Sequence, residues 1–313
     1  MTTVVKIPPR PGYPARKTLP PSIKVRRDVE WFWRNDRTLC IGALAIDPGP
    51  TEECIVLCAD RKVSTPDWEF ASETEYKFHA LSPQFVALAS DSLSQAKELA
   101  DIYRFHLKSV PLTAENVLEE MRKPPIVLKR RLANSYIGRC LGLSYDEWVK
   151  HGRDWFGDTI FERHEDTIAK HALRVQLLIA GFVDRKAFLF ELVSDEVSVV
   201  TNFSMIGAGS YTASPALHAR SQTRATMLDQ ALYNVYEAKK MGEGSPSVGK
   251  KTMMRVLHPP ATIGGPVCEQ IVTASGAAAL EELFGEYGPK PMASCTLPED
   301  SLQWVPLPME SGR

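Results

Sequence analysis

The chain has 313 residues, a formal net charge of −1 and 44% hydrophobic residues, which is typical of soluble globular proteins. Because its positive and negative charges nearly cancel, nothing global attracts it to nucleic acid or to an acidic membrane surface, and we expect neither partner. The length suffices for one large domain or two ordinary ones, with a core that needs no disulfides or metal.

Residues 1–37 are predicted to form a basic, proline-rich tail or propeptide. The first 27 residues contain six prolines and seven basic residues but no acidic residue. Proline at this density disfavours both helix and sheet. Three interpretations remain open: a disordered leader, a propeptide, or an arm that docks on a neighbouring subunit.

From Thr38 onward the pattern predicts short strands followed by a long helix. The runs TLCIGALAID and CIVLCADRKVS are apolar and are separated by PGPTEE, a turn by composition. KFHAL and FVALAS form a second predicted pair of strands. The helix follows in SDSLSQAKELADIYRFHLKSV, where Ser92 and Gln95 have the spacing of a capping box.

The second half of the chain alternates helical and strand patterns. A helix that starts near Thr113 is predicted to end at Pro124–Pro125. Residues 126–172 are predicted to be helical and irregular, with a capping box at Ser144 and Glu147. The remaining predicted elements are strands over 173–183, 187–194, 197–210 and 250–257, a helix over 223–242, and a final helix in ASGAAALEELFGEYG.

This order of elements predicts an α+β protein. Runs of strands separated from runs of helices favour layers over alternating βαβ units. Strands that are apolar on both sides indicate sheets covered on both faces. Two sheets packed between layers of helices satisfy both observations.

Asp60 ends an apolar strand, and Lys77 begins the next one. A buried carboxylate without a partner is costly, so Lys77 is the candidate partner. Spacing alone leaves two interpretations. The pair is either a buried ion pair without chemistry, or a lysine that an acid holds in place to activate a neighbouring amine or hydroxyl.

At these residues the sequence resembles proteasome-type subunits. TLCIGALAID…CIVLCADRKVS…FASETEYKFHAL…FVALASDS is similar to their opening: a Thr-led strand with Gly four residues on, a strand ending in Ala-Asp-Arg, and a Lys that starts the next hairpin. LLIAGFVDRKAFLFELVSD, MIGAGSYTA and SPSVGKKTMMRVL resemble the second hairpin, the Gly-x-Gly turn and the late Ser-x-Gly strand. The resemblance covers roughly residues 37–110 and 173–257.

The resemblance implies the fold of the N-terminal-nucleophile (Ntn) hydrolases, a four-layer αββα sandwich. The proteasome-like domain would then span residues 38–290, with an expanded helical insertion around 111–172. The proline-rich arm precedes this domain, and residues 291–313 form a C-terminal tail.

The resemblance also implies a catalytic site. Thr38 would be the nucleophile, and its α-amino group, with an ordinary pKa of about 7.7–8.0, would be the general base. Lys77 would activate Thr38, and Asp60 would orient Lys77. N–H groups near Ser90 would form the oxyanion hole, with Ser210 and Ser247 in supporting roles.

Several positions depart from the pattern of active family members. Arg37 precedes Thr38, where those members have glycine, and Ala208 and Gly244 replace an expected serine and aspartate. Ser90 stands where a glycine normally supplies an oxyanion N–H. Because the family also contains non-catalytic subunits, the alternative is a silent structural or assembly subunit whose uncut N-terminal arm serves for docking.

The expected partners are a peptide or protein substrate and further copies of the chain, a homo-oligomer for which a ring is one form. The sequence has no Walker loop, so any ATPase or regulator would be a separate protein. An Ntn enzyme acting on small amides ranks third. Thr2, exposed by removal of Met1, is a further candidate nucleophile, but the KIPPRPGYP that follows cannot continue into the required hairpin.

The cysteines indicate neither a metal nor a cofactor. Cys54 and Cys58 are separated by three residues, but no second pair and no nearby histidine completes a zinc site. A reduced, cytoplasmic protein is the simplest interpretation of this cysteine usage. No 18-residue apolar segment and no signal-peptide pattern is present, so we expect no membrane partner.

Overall fold

The computed structural model describes residues 38–60, 63–65, 68–72, 77–170, 173–246 and 248–289. The predicted tails at 1–37 and 291–313 lie outside these ranges. The chain divides into two compact units, one up to Val272 and one from Thr273 onward. The predicted α+β class is confirmed: the described residues form two five-stranded antiparallel sheets, a two-stranded ribbon and seven helices.

The strands are β1 (Cys40–Asp47), β2 (Glu52–Asp60), β3 (Val63–Thr65), β4 (Trp68–Ser72), β5 (Phe78–Ala80), β6 (Phe85–Asp91), β7 (Val175–Val183), β8 (Lys186–Val193), β9 (Glu196–Val200), β10 (Phe203–Ile206), β11 (Thr252–His258) and β12 (Cys268–Ile271). The helices are α1 (Leu93–Ser109), α2 (Val117–Leu141), α3 (Tyr145–Phe156), α4 (Asp158–Lys170), α5 (Ser210–Ala219), α6 (Leu228–Gly242) and α7 (Ala274–Tyr287). The first sheet has the strand order β10-β1-β2-β11-β12, and the second has the order β5-β6-β7-β8-β9.

The two sheets share one apolar core. Cys40 and Leu44 of β1 lie in the same buried cluster as Leu178 and Ala180 of β7. Side chains alternate between the faces of a strand, so Ile41 and Ala43 of β1 and Ile179 of β7 point away from the other sheet. This arrangement is compatible with a sandwich of two sheets.

Helices cover the outer faces of both sheets. Helices α1 and α2 form a second apolar cluster with β6 to β9, in which Leu177 and Ile179 are buried on the face of β7 opposite Leu178. Helix α6 packs on β1 and β2, and α5 packs on α6. The sheets predicted to be covered on both faces are therefore observed.

The prediction that the second helix ends at Pro124–Pro125 is wrong, because α2 continues through both prolines to Leu141. A proline inside a helix removes the hydrogen bond to the carbonyl four residues earlier. For Pro125 that carbonyl belongs to Met121, and the Tyr103 hydroxyl of α1 donates to it over 2.7 Å. Tertiary contact with α1 therefore supplies the donor that Pro125 lacks.

Helices α2, α3 and α4 confirm the predicted helical region and have a small core of their own. Trp148 is fully buried in a cluster with Ala133, Ile137 and Ile168. The predicted capping box at the start of α3 is present, since Ser144 and Glu147 each bond the other's backbone N–H. Within the described ranges, every helix is too short or too polar to span a bilayer.

The predicted strand over 197–210 is in fact two strands and a helix start. Strand β9 ends at Val200 and is the edge of the second sheet, whereas β10 begins at Phe203 and pairs with β1 in the first sheet. The chain changes sheets at Thr201–Asn202, where the Asn202 carbonyl accepts from Leu44 N–H over 2.8 Å. Apolar patterning gives no signal for a change of sheet.

The unit from Thr273 onward contains α7, which confirms the predicted final helix. The Thr273 side chain caps its first turn by accepting from Gly276 N–H.

Candidate active site

Thr38, Asp60 and Lys77 lie together at one end of the first sheet. The Lys77 ammonium contacts both the Thr38 hydroxyl and the Asp60 carboxylate, the latter over 2.5 Å. The Thr38 hydroxyl donates to the same Asp60 oxygen over 2.7 Å. The exposed fractions of the three residues are only 5%, 1% and 7%, so the two charges interact with little solvent screening.

The backbone fixes this arrangement through the pairing of β1 with β2. Cys40 lies opposite Ala59, and Asp60 N–H donates to the Leu39 carbonyl over 3.1 Å. This pairing places Thr38, the residue before Leu39, next to Asp60. Lys77 precedes β5, and its carbonyl accepts from Ala89 N–H of β6 over 3.2 Å. The site thus joins the first sheet to the second.

Both oxygens of Asp60 accept a hydrogen bond from a backbone N–H group. Oδ1 accepts from Leu39 N–H over 2.8 Å, and Oδ2 accepts from Gly249 N–H over 2.9 Å. Hydrogen bonds of this kind hold the orientation of a carboxylate. Asp60 is the centre of the cluster, since all its other members bond to it.

A tight turn between β10 and α5 covers the Thr38 carbonyl. Gly209 N–H donates to that carbonyl over 3.3 Å. Gly207 has φ of 90°, and a Cβ there would lie 2.4 Å from the carbonyl oxygen and 2.9 Å from the Ser90 hydroxyl. Glycine is therefore required at residue 207 for both conformation and space.

The Ser90 hydroxyl is buried beside this turn and has no hydrogen-bond partner among the described residues. Ser90 pairs with Gln176 of β7, and Ser92 N–H donates to the Arg174 carbonyl. Hydrogen-bonded pairs recur at every second residue of an antiparallel ladder, so the Ser90 N–H points toward β7. The role of Ser90 as an oxyanion donor stays a prediction, and the geometry favours its hydroxyl over its N–H.

The other predicted supporting residues are less closely connected to Thr38. Ser210 is the first residue of α5, and its N–H donates to the Gly207 carbonyl over 3.0 Å. Ser247 lies outside the described residues, as does Arg37. Gly244 is exposed at the end of α6, and its N–H donates to the Met241 carbonyl.

Burial affects the three cysteine thiols of β1 and β2, which belong to Cys40, Cys54 and Cys58. Burial raises the pKa of Cys40 to about 12, although the Lys77 charge opposes this shift. Burial also raises the pKa of Cys54 to about 12 and that of Cys58 above its usual range. These thiols therefore remain protonated near neutral pH.

Sequence reasoning missed two groups that shape the site. The Gln176 side chain accepts from Gly207 N–H over 3.0 Å and so holds the turn. Gly249 binds Asp60 across 189 residues of sequence. A polar residue at the start of the apolar run VQLLIAGFV was the available signal for Gln176, whereas a backbone N–H gives no sequence signal at all.

The described residues contain no group of three or more His, Cys, Asp or Glu side chains placed to hold a metal ion. Comparisons with protein-family models and with curated protein sequences found no match.

Proposed function

We propose that the protein is a threonine-type Ntn hydrolase of the proteasome-like class that cleaves amide bonds in peptides or proteins. The observation that carries the proposal is the buried contact of the Thr38 hydroxyl with both the Lys77 ammonium and the Asp60 carboxylate. A purely structural ion pair does not require a hydroxyl between its charges. A nucleophile needs a proton acceptor and a nearby cation to become reactive.

The architecture supports the finer fold assignment within this proposal. Two antiparallel sheets share a core and carry helices on their outer faces, which is compatible with the αββα sandwich of the Ntn hydrolases. Thr38 lies two residues before Cys40, the first paired residue of β1, and the resemblance assigns this position to the nucleophile.

In the proposed mechanism Thr38 first acts on its own chain. Its Oγ bonds to the carbonyl carbon of Arg37 while the Arg37–Thr38 amide bond breaks. The hydroxyl proton passes by way of the Asp60 carboxylate, 2.7 Å away, to the departing nitrogen. Water then hydrolyses the resulting ester, which leaves a carboxylate on Arg37 and a free α-amine on Thr38.

The freed amine then serves as general base for substrate. It takes the Oγ proton while Oγ adds to the substrate carbonyl, and the proton passes to the leaving amine as the substrate C–N bond breaks. Water hydrolyses the ester of Thr38 and restores the hydroxyl. Throughout, the Lys77 ammonium stabilises negative charge on Oγ in a poorly solvated site.

Intact-mass measurement of the full chain tests this proposal. We expect wild-type protein to yield a chain that begins at Thr38, and Thr38→Ser to be cleaved as well, because it retains a hydroxyl. Thr38→Val, which has nearly the same shape without the hydroxyl, should stay uncut and lose at least about a thousandfold in peptide turnover. Turnover that is equal in wild type and Thr38→Val would refute Thr38 as nucleophile.

A second variant separates failure of self-cleavage from failure of catalysis. This variant is the full chain with the recognition site of a sequence-specific protease introduced so that it ends directly before Thr38. Cleavage by that protease then frees the α-amine of Thr38. We expect turnover to appear on cleavage, and panels of peptides and small amides then identify the substrate class. If the freed chain is folded but inert toward both panels, the hydrolase proposal fails.

The silent-subunit alternative is favoured by Arg37 and by Ala208, which brings no hydroxyl to the turn that binds the Thr38 carbonyl. It requires an intact N-terminus and no Thr38-dependent turnover. It also requires an oligomer that weakens when residues 1–30 are removed. Under this alternative Asp60 and Lys77 form a buried ion pair that stabilises the junction of the sheets.

A further inference from the structure

Lys239 is a buried cation that the proposed mechanism does not use. It lies in the last turn of α6, and its exposed fraction is 0%. Its ammonium pairs with Glu243 and donates to the Lys250 carbonyl over 2.8 Å. Burying a charged amine is costly unless its partners are well placed.

The helix end alone does not explain this burial. A cation near a helix C-terminus interacts favourably with the helix dipole. Lys240, the next residue, supplies such a charge, and it pairs with the same Glu243 over 3.5 Å while keeping a side chain 21% exposed. What distinguishes Lys239 is its contact with the backbone of Lys250.

That contact lies one residue from the group that holds Asp60. Gly249 N–H donates to Asp60 Oδ2 over 2.9 Å, and the carbonyl of the following residue, Lys250, accepts from the Lys239 ammonium. Val248, the residue before Gly249, packs closely on Gly209. A Cβ added at Gly209 would lie 2.6 Å from the Val248 side chain. Residues 248–250 are therefore held by the hydrogen bond from Lys239 and by the packing of Val248 on Gly209.

We propose that Lys239 is a positioning residue that fixes the Asp60 carboxylate through the backbone of Gly249 and Lys250. The path runs from the Lys239 ammonium to the Lys250 carbonyl, along the chain to Gly249 N–H, and from there to Asp60. Asp60 in turn orients the Thr38 hydroxyl and Lys77. This inference rests on the proposed function for its catalytic consequence, but its structural half is independent of activity.

The test compares Lys239→Met with Lys240→Met in the full chain. Both variants remove an ion pair with Glu243, and only the first removes the donor to Lys250. In Lys239→Met we expect hydrogen exchange at Gly249 to rise about tenfold, the equivalent of one lost hydrogen bond. We expect kcat for Thr38-dependent turnover to fall about tenfold, with KM within about twofold, because the change affects chemistry and not substrate binding.

Lys240→Met should change neither Gly249 exchange nor kcat. The double variant Lys239→Met/Glu243→Gln also removes the carboxylate that has lost one of its two lysine partners, so it keeps the test valid if the single variant folds poorly. Its Gly249 exchange and kcat should change as in Lys239→Met.

The possible failures are distinguishable. Unchanged Gly249 exchange in the folded Lys239 variants overturns the proposal, as does an equal rise in Lys240→Met. Faster exchange with unchanged kcat overturns the catalytic consequence. Faster exchange in a protein without any Thr38-dependent turnover refutes the hydrolase proposal and supports the link between Lys239 and Asp60.

Discussion

Ser90 carries a hydroxyl that is sealed from solvent beside the Thr38 carbonyl, with no hydrogen-bond partner among the described residues. A buried polar atom in this state lowers stability, because it loses water without gaining a partner. A catalytic role is one reason for which proteins retain such a group. In the proposed reaction the missing partner is the carbonyl oxygen of the substrate.

Ser90→Ala is therefore expected to separate stability from activity. The free energy of unfolding should stay the same or rise by about 1 kcal/mol, because an unsatisfied hydroxyl is removed. Peptide turnover should fall about tenfold through the loss of one donated hydrogen bond. Urea unfolding and steady-state kinetics on the same preparations measure both effects.

Ser204→Ala is the matched control, since its hydroxyl donates to Glu191 over 2.6 Å. This variant should lose about 1 kcal/mol of stability without a specific loss of turnover. A larger loss of stability in Ser90→Ala than in Ser204→Ala would show that the Ser90 hydroxyl is already satisfied.

The sequence predicted the individual residues of the site better than their contacts. An acid that ends an apolar strand and a lysine that begins the next one predicted the pairing of Asp60 with Lys77, and the structure brings them together with Thr38. The contact of Asp60 with Gly249 depends on the position of β11 beside β2. Pairing between strands so distant in sequence follows from the whole fold and not from local pattern.

At the scale of elements, α2 shows how a helix passes through two prolines. Burial raises the pKa of Tyr103, so its hydroxyl stays protonated and remains a donor to the Met121 carbonyl. The sequence signal for a helix end at Pro124–Pro125 was sound locally. The prediction is wrong because the donor that replaces the missing N–H comes from another helix, α1, and the local sequence does not indicate that contact.

A double-mutant cycle between Tyr103 and Pro125 tests this explanation. Tyr103→Phe should destabilise the protein by about 1–2 kcal/mol, since the Met121 carbonyl loses its donor. In the Pro125→Ala background the restored N–H can bond that carbonyl, so the same change should cost less than about half as much. Equal costs in the two backgrounds, measured by urea unfolding, would contradict the exchange of donors.

Most strands of the two sheets were predictable from the sequence, but the sheet to which each strand belongs was not. Alternation and apolar runs predicted most strands, because residues covered on both faces leave a clear pattern. The pattern did not show that Val200 and Phe203 belong to different sheets. That division is set by the core between the sheets, which forms only when both are present.

At the scale of the whole molecule, Glu53 joins the two sheets. It accepts from Arg224 Nη2 and from Ala187 N–H of β8, each over 2.9 Å, while itself belonging to β2. Burial alone would raise its pKa, but the hydrogen bonds from Arg224 and Ala187 together with the Arg224 charge hold the pKa below the ordinary value of 4.5.

Glu53 is therefore expected to contribute to resistance against acid. Because folding lowers its pKa, its contribution is complete above about pH 4.5, its ordinary value, and is lost as pH falls through the folded pKa. Glu53→Gln should lower stability at pH 7, and the difference from wild type should shrink as pH falls below that value. Denaturant unfolding at a series of pH values from about 3 to about 7 measures this difference.

Glu52→Gln provides the comparison. Glu52 lies beside Glu53 on β2, and its ion pair with Arg185 is more exposed to solvent. Surface pairs of this kind contribute about 0–1 kcal/mol, so the control should remain close to wild type at pH 7. A difference between Glu53→Gln and wild type that stays constant over the whole pH range would contradict the linkage to Glu53.

The contacts of Asp60 also set an order in time. Its bonds to Lys77 and Thr38 close 17 and 22 residues of chain, whereas its bond to Gly249 closes 189. Contacts between distant segments form slowly, because a long loop must first be closed. We therefore expect the bond between Asp60 and Gly249 to form later in folding than the bonds to Lys77 and Thr38, when β11 joins β2. A self-cleavage that depends on Asp60 would therefore begin only after β11 has paired with β2, so an incompletely folded chain would keep its N-terminal segment.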